Sequence, residues 1–303
     1  MRIAILSRIS SLYSTRRLKE TCLKRGHEAK VCDPLNFAIN MDEGCAGLLY
    51  RGRKFKTYEA VIPRIGSSIT FFGTALVRQF EQMGILCLNS SNSIALSRDK
   101  LRSLQQLEKY HLPFPQTIAV FKQGTASYVI DKLGGAPVII KLVEGAQGVG
   151  VMLAETKKVA EAIIETLQST YQNILVQKFV KESRGRDIRV LVVGNKVVAA
   201  MRRLAQGDEF RSNVHCGGRV EKIKLDKVFE ETALKAASIM GLNVAGVDML
   251  ESITGPKVID INSSPGLEGV EEATGIDVAN AIIEFLEGQY QLKQEREYLT
   301  INI

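Results

Sequence analysis

The chain has 303 residues, 45% hydrophobic and 24% charged, with a formal net charge of +7. This length allows two or three domains or one large enzyme fold, and this hydrophobicity excludes a disordered chain. The five cysteines (Cys22, Cys32, Cys45, Cys87, Cys216) are scattered, odd in number and lack a C-x-x-C pair. They exclude a disulfide framework and a structural zinc site and suit a reducing cytoplasm, and no apolar run reaches the length of a membrane span.

In chain order, Arg2–Ser7 reads as a buried strand rather than a signal peptide, since its apolar segment is too short. Helix Ser10–Lys24 stops at Gly26, strand Glu28–Cys32 follows, and Gly47–Phe55 reads as a hairpin with Gly52 in its middle. Strand Tyr58–Pro63, helix Phe71–Met83 and strand Ile85–Leu88 complete a mostly parallel, Rossmann-like α/β unit. It lacks the G-x-G-x-x-G fingerprint of a dinucleotide site. Arg8 and Arg64 follow strands of this unit, where open α/β sheets face a ligand crevice; an arginine there offers a fork to a carboxylate.

One helix is predicted over Ser93–Tyr110, ended by Pro113 and Pro115. A smaller α+β unit follows, with helices on one face: strand Thr117–Phe121, helix Thr125–Leu133, strand Val138–Lys141, strand Val151–Ala154, helix Thr156–Gln168 and strand Ile174–Phe179. The last unit opens with a hairpin, Asp187–Val193 and Lys196–Met201, turning at Gly194-Asn195. Helix Asp226–Met240, an acidic hairpin and helix Val278–Glu287 come next, and Gln289–Ile303 is a polar tail with weak signals.

The acidic hairpin carries the chemistry. Its apolar runs, Val244–Leu250 and Lys257–Ile261, flank a turn centred on Thr254, so Asp248 and Asp260 should stand opposite each other. Opposed Cβ atoms lie roughly 4.5–5.5 Å apart. Two carboxylates that close repel unless a cation lies between them. Asn262 points to the same face as Asp260, opposite Gly246, which leaves room. Hard oxygen donors with an open side suit magnesium with substrate phosphates.

Other motifs supply anion-binding groups. Lys141-Leu-Val-Glu-Gly-Ala-Gln-Gly-Val-Gly150 joins two strands, and its glycines let backbone N–H groups approach a phosphate, with Lys141 as a point charge. It is not a P-loop, because the lysine precedes the glycines. Gln177–Val180 leaves one unit for the next with backbone groups suited to an adenine edge, and Asp187 can accept ribose hydroxyls. Arg203, Arg211 and Asn213 supply charge and an amide for a phosphoryl group. The net positive charge suits an anionic partner, and no zinc-finger, RRM or basic-helix pattern supports sequence-specific nucleic-acid binding.

The order of these motifs resembles the ATP-grasp ligases, and is most similar to the RimK-type α-L-glutamate ligases. The resemblance covers nearly the whole chain: MRIAILSR, AVIPRIG, KLVEGAQGVGV, DIRVLVVG, FRSNVH, VAGVD and NSSPGLEG. It implies an ATP-grasp fold, α/β and α+β, with an N-terminal Rossmann-like (pre-ATP-grasp) domain over 1–95. A central subdomain over 96–180, a C-terminal subdomain over 181–290 and a tail over 291–303 follow. It implies that ATP is held by Lys141, Lys178, Phe179, Asp187, Arg211, Ser212 and Asn213, and two Mg²⁺ or Mn²⁺ ions by Asp248, Asp260 and Asn262. Arg203 is the implied catalytic residue and Arg64 a substrate residue. The implied reaction passes the γ-phosphate to a carboxylate, an amine attacks the acylphosphate, and ADP and phosphate leave. The implied partners are L-glutamate and an acceptor protein or peptide C terminus, such as that of a ribosomal protein. A cytoplasmic homo-oligomer, without membrane or sequence-specific nucleic-acid contacts, is expected. The chain departs from the family pattern at Asp260, usually Glu; at Lys178, where an acid is common; and at Leu204 and Cys216, where arginines are expected. A ligase for another small acidic substrate or carrier protein, glutathione-synthetase-like, is the alternative. A nucleotide-binding regulator without catalysis is a second, which the metal ligands and Arg203 oppose.

Overall fold

Strand β1 (Arg2–Leu6) sends Ile3 and Ile5 to one side of a sheet and Ala4 and Leu6 to the other, all fully buried. A strand covered on both faces reads as a continuous apolar run, as strands of parallel sheets do. The computed structural model describes residues 1–42, 45–56, 58–122, 124–143, 150–207, 209–212 and 218–301. After β1 come α1 (Tyr13–Lys24), β2 (Glu28–Cys32), β3 (Phe37–Asp42), β4 (Cys45–Tyr50), β5 (Arg53–Lys54), β6 (Ala60–Pro63), α2 (Thr70–Gln82) and β7 (Leu86–Cys87). The parallel sheet runs β2-β1-β6-β7. Gly26, at φ +79°, ends α1 in the left-handed conformation that a glycine stop provides. Strands β3–β5 form an antiparallel ribbon beside this sheet. The expected hairpin is β4 and β5, turning at Arg51-Gly52, both with positive φ, as a type I′ turn requires. Strand β3 was not foreseen.

The single helix expected over Ser93–Tyr110 is two, α3 (Ser91–Arg98) and α4 (Lys100–Lys109). Asp99 divides them with extended backbone, and its carboxylate caps α4 by accepting from the Arg102 N–H at 3.0 Å. Capping by Asp outweighs continuation of the helix here. The central unit holds β8 (Thr117–Val120), α5 (Ala126–Lys132), β9 (Val138–Leu142), β10 (Val151–Ala154), α6 (Lys157–Ser169) and β11 (Ile174–Lys178). Its antiparallel sheet runs β10-β9-β11-β8, and both helices share one core with it.

The last unit comprises β12 (Arg186–Val193), β13 (Lys196–Leu204), β14 (Arg219–Lys222), α7 (Lys227–Ile239), β15 (Val244–Ser252), β16 (Gly255–Asn262), α8 (Glu268–Thr274) and α9 (Val278–Ile301). Its antiparallel sheet runs β14-β13-β12-β15-β16. One face packs on α7 through Val190, Val192, Val247 and Met249. The other packs Leu191, Val193, Ala199 and Met201 with α8, α9 and the Ile3/Ile5 face of the N-terminal sheet. Helix α9 does not stop at Glu287 but runs to Ile301. Residues 289–301 include many good helix formers, and Lys293 Nζ donates to the Gly84 carbonyl. The polar tail is therefore helical through Ile301.

Candidate active site

The β15/β16 hairpin positions the acids. Asp248 stands opposite Asp260 and Gly246 opposite Asn262, as expected. The route to this register differs from the expectation. The turn is a two-residue loop, Ile253-Thr254, closed by Ser252 opposite Gly255, and a bulge then inserts Ile259 into β16. Val258 and Ile261 are three residues apart, yet both enter the α7 core. Strict alternation forbids this, and the bulge permits it while Asp260 and Asn262 stay on the other face. The space at Gly246 is taken by Pro265, because an added Cβ would lie 2.9 Å from the proline Cβ. The room expected opposite Asn262 is therefore filled.

The face that α8 and α9 cover at its apolar end becomes charged at the other. Asp187 pairs with Arg203 across β12/β13, and Arg189 with Asp248 across β12/β15. Arg203 Nε donates to Asp187 Oδ1 at 2.6 Å, and its Nη2 lies 2.5 Å from Asp187 Oδ2 and 2.9 Å from Asp248 Oδ2. Arg189 forks onto Asp248 at 2.7 and 2.6 Å. Asp187, Arg203 and Asp248 are 2–4% exposed. Two acids and two arginines thus balance in charge. Burial pushes Asp248 up, but Arg189 and Arg203 outweigh it and hold the carboxyl below its usual range. Burial raises Asp187 against the pull of Arg203. Burial opposes the charge on Arg203, and Asp248 and Asp187 more than offset it. On its β12 side, away from Asp260, the Asp248 charge is thus offset by guanidinium groups. Arg189 was missed; the signal was D-I-R, which places positions 187 and 189 on one face of a strand.

Asp260 is exposed and accepts from Asn262 Nδ2 at 3.0 Å. It shares a cleft with Ser97, Lys100, Lys141 and Gln177. Lys141, at the end of β9, donates to Gln177 Oε1 at 2.8 Å. Burial, reinforced by Lys100, pushes Lys141 down to about 8 against the pull of Asp260. Lys100, capped into place by Asp99, donates to the carbonyls of Leu142 and Val143 at 3.0 and 3.3 Å. It too was missed, because a single helix over Ser93–Tyr110 hides the helix start at Lys100.

The remaining expected residues lie as follows. The Lys178 N–H is committed to Gln116 O at 2.8 Å, so it is not a free hinge donor. The Phe179 N–H makes no hydrogen bond among the described residues. Arg211 forks onto Glu209 at 3.0 and 2.7 Å, and this bond lowers the Glu209 carboxyl to about 2. Ser212 is buried beside it in sequence. Asn213, Cys216 and loop positions 144–149 lie outside the described residues. Arg64 Nη1 donates to the Pro265 carbonyl at 2.7 Å, and Ser264 Oγ to Pro63 O at 3.3 Å. The loop leaving the acidic hairpin is thereby tied to the carboxyl end of β6. Among the described residues, no three His, Cys, Asp or Glu side chains gather into a metal cage. The donor set is two carboxylates and an amide.

An antiparallel α+β unit and a larger antiparallel sheet, sharing a cleft lined by lysines and an acidic hairpin behind a parallel α/β unit, define the ATP-grasp class. The chain is an ATP-dependent ligase. It belongs to the RimK family, matching the RimK-like ATP-grasp domain over residues 97–286 and the RimK PreATP-grasp domain over 1–94. It is 57% identical to a protein of Rhodopirellula baltica named "Probable alpha-L-glutamate ligase", over the whole chain and 75% of that relative. It is 54% identical to a protein of the same name from Shewanella loihica, over 95% of each. Among solved structures, the RimK domain protein ATP-grasp from Sphaerobacter thermophilus aligns with TM-score 0.74 at 22% identity, over 94% of this chain and 99% of that one. The ATP-grasp ligase PsnB, complexed with a minimal precursor variant, Mg and ADP, aligns with TM-score 0.72 at 21% identity, over 95% and 98%. These structures show the shared fold. No helix among the described residues is long and apolar enough to cross a membrane.

Proposed function

We propose that the chain joins the amine of L-glutamate to the C-terminal carboxylate of a protein or peptide in the cytoplasm, with a ribosomal protein as the candidate acceptor. The observation that carries this reading is likeness above 50% identity, over at least 95% of the chain, to relatives named for glutamate ligation.

In this reading Lys141 meets the ATP phosphates, the Phe179 N–H meets adenine, and Asp187 accepts ribose hydroxyls. Asp187 suits that task because each oxygen spends one lone pair on Arg203 and keeps another. Arg211, Ser212 and Asn213 complete the nucleotide contacts. Asp248, Asp260 and Asn262 are hard oxygen donors and fit Mg²⁺. Asp248 Oδ2 is engaged twice and Oδ1 once, so Asp248 has one lone pair left for an ion, on Oδ1. Asn262 spends its NH₂ on Asp260, which leaves its carbonyl oxygen as the donor. Two bound ions would neutralise phosphate charge during transfer. The acceptor carboxylate takes the γ-phosphoryl group and ADP leaves. The glutamate amine then attacks the acyl carbon, phosphate leaves and an amide forms. Arg203 has its Nη1 edge uncommitted to either acid, and that edge stabilises charge on the transferring group.

Incubating a cell extract with the chain, ATP, Mg²⁺ and labelled L-glutamate, followed by mass spectrometry, tests the reading. Acceptors should gain whole labelled residues only when ATP is present. Absence of labelled product, or equal incorporation of neutral amino acids, would contradict it.

A further inference from the structure

Arg64 and Arg98 come from different elements and are brought together beyond the carboxyl end of β6, where Arg98 binds the carbonyl of the residue after Arg64. Arg64 follows Pro63 at the carboxyl end of β6, and Arg98 is the last residue of α3. Both are partly buried, and both are held by backbone carbonyls rather than acids. Arg64 Nη1 donates to Pro265 O at 2.7 Å, and Arg98 Nη2 to Ile65 O at 2.6 Å. Neither forms an ion pair with an acid among the described residues. The two guanidinium charges act on each other: burial, then Arg98, pushes Arg64 down to about 10. Arg98 in turn is pushed down by burial against the pull of Asp260, and Ser97, the residue before it, lines the cleft that holds Asp260. Arg98 Nε is buried with no hydrogen-bond partner. An orphaned buried donor costs free energy unless something completes it. Two neighbouring forks with no acid partner and an unspent donor form a seat for carboxylates, since each fork matches one carboxylate in bidentate geometry.

We propose that Arg64 and Arg98 together bind the two carboxylates of the incoming amino acid and so select a dicarboxylic one. This rests on the proposed reaction in one respect. There the acceptor's carboxylate reacts beside the γ-phosphate, whereas both carboxylates of glutamate stay ionised and only its amine attacks. The ligand's two negative charges match the two unpaired guanidinium groups. A neutral side chain in place of the second carboxylate would leave one fork empty.

Glutarate is a dicarboxylate with no amine, so it binds without reacting. Calorimetric titration of glutarate into the full chain, with a non-hydrolysable ATP analogue present, tests the seat. Saturable binding is expected, weakened by about tenfold or more in Arg98→Gln while affinity for the analogue stays within about twofold. Butyrate, with one carboxylate, should bind the wild type more weakly by a similar factor. The KM for glutamate should rise in Arg98→Gln and the KM for ATP should not. Should Arg98→Gln fail to fold, Arg98→Lys keeps the charge but not the fork, and it should also bind glutarate more weakly. No binding by the wild type, or equal binding by wild type and folded variants, overturns the seat. Glutamate ligation with a KM unmoved by Arg98→Gln removes the seat and leaves the reaction standing. Arginine-dependent glutarate binding without glutamate ligation keeps the seat and removes the reaction.

Discussion

Arg203 stands opposite Asp187 across two strands and forks onto both of its oxygens, while the same Nη2 reaches Asp248 on the next strand but one. One side chain thus couples the acid expected at the ribose to an acid expected at the metal. Replacing Arg203 with Met would leave two buried carboxylates without this partner. Removing one member of a buried ion pair typically costs about 3–5 kcal/mol. Urea unfolding of Arg203→Met should show a loss of that size, together with loss of ligation. A variant that kept its stability would show the network to be less buried than its geometry.

The two hairpin acids should respond differently to the same change. Asp260 is exposed and its bond to Asn262 is local, so Asp260→Asn should keep wild-type stability and lose Mg²⁺-dependent turnover. Asp248→Asn withdraws the counter-charge of Arg189 and Arg203 and should lose both turnover and about 3–5 kcal/mol of stability. Thermal midpoints and ATP turnover, measured side by side on both variants, check the contrast. Equal destabilisation would contradict it.

Lys141 predicts a pH dependence. Its folded value of about 8 lies below the ordinary 10.5, so it carries charge below about pH 8 and loses it above. Affinity for an ATP analogue should therefore be full at pH 7 and fall as pH rises through 8. A lost charge-assisted hydrogen bond is worth about 1.5–3 kcal/mol, or roughly ten- to a hundredfold in affinity. Stability without nucleotide should move the other way. The penalty for burying the charged ammonium is present in full below pH 8 and is relieved as pH climbs toward 10.5. Lys141→Arg should flatten the binding profile between pH 7 and 9. An unchanged profile in that variant would assign the dependence to another group.

Much of this was legible from periodicity and turn chemistry. The parallel unit, the Gly194-Asn195 hairpin and the opposition of Asp248 to Asp260 all follow from runs, turns and register. The last was correct through two compensating features, a two-residue turn and the Ile259 bulge, and alternation alone gave no sign of either. What stayed hidden was set by contacts distant in sequence. Arg189 matters because Asp248 lies across the ladder, and Gly246 because Pro265 packs on it. Arg64 bonds to a carbonyl two hundred residues along the chain rather than standing free at a strand end. The helical tail was missed because α9 as a whole carries no amphipathic period that could be followed past Glu287.

The central claim is that ATP activates the acceptor's carboxylate and glutamate's amine then displaces phosphate. It is tested most directly with an acceptor peptide whose C-terminal carboxylate carries ¹⁸O, incubated with the chain, ATP, Mg²⁺ and L-glutamate. The account predicts peptide extended by glutamate and inorganic phosphate carrying a single ¹⁸O atom from the carboxylate, formed together with ADP. Extension with ¹⁸O found in AMP, or phosphate release with no transfer of label, would contradict it.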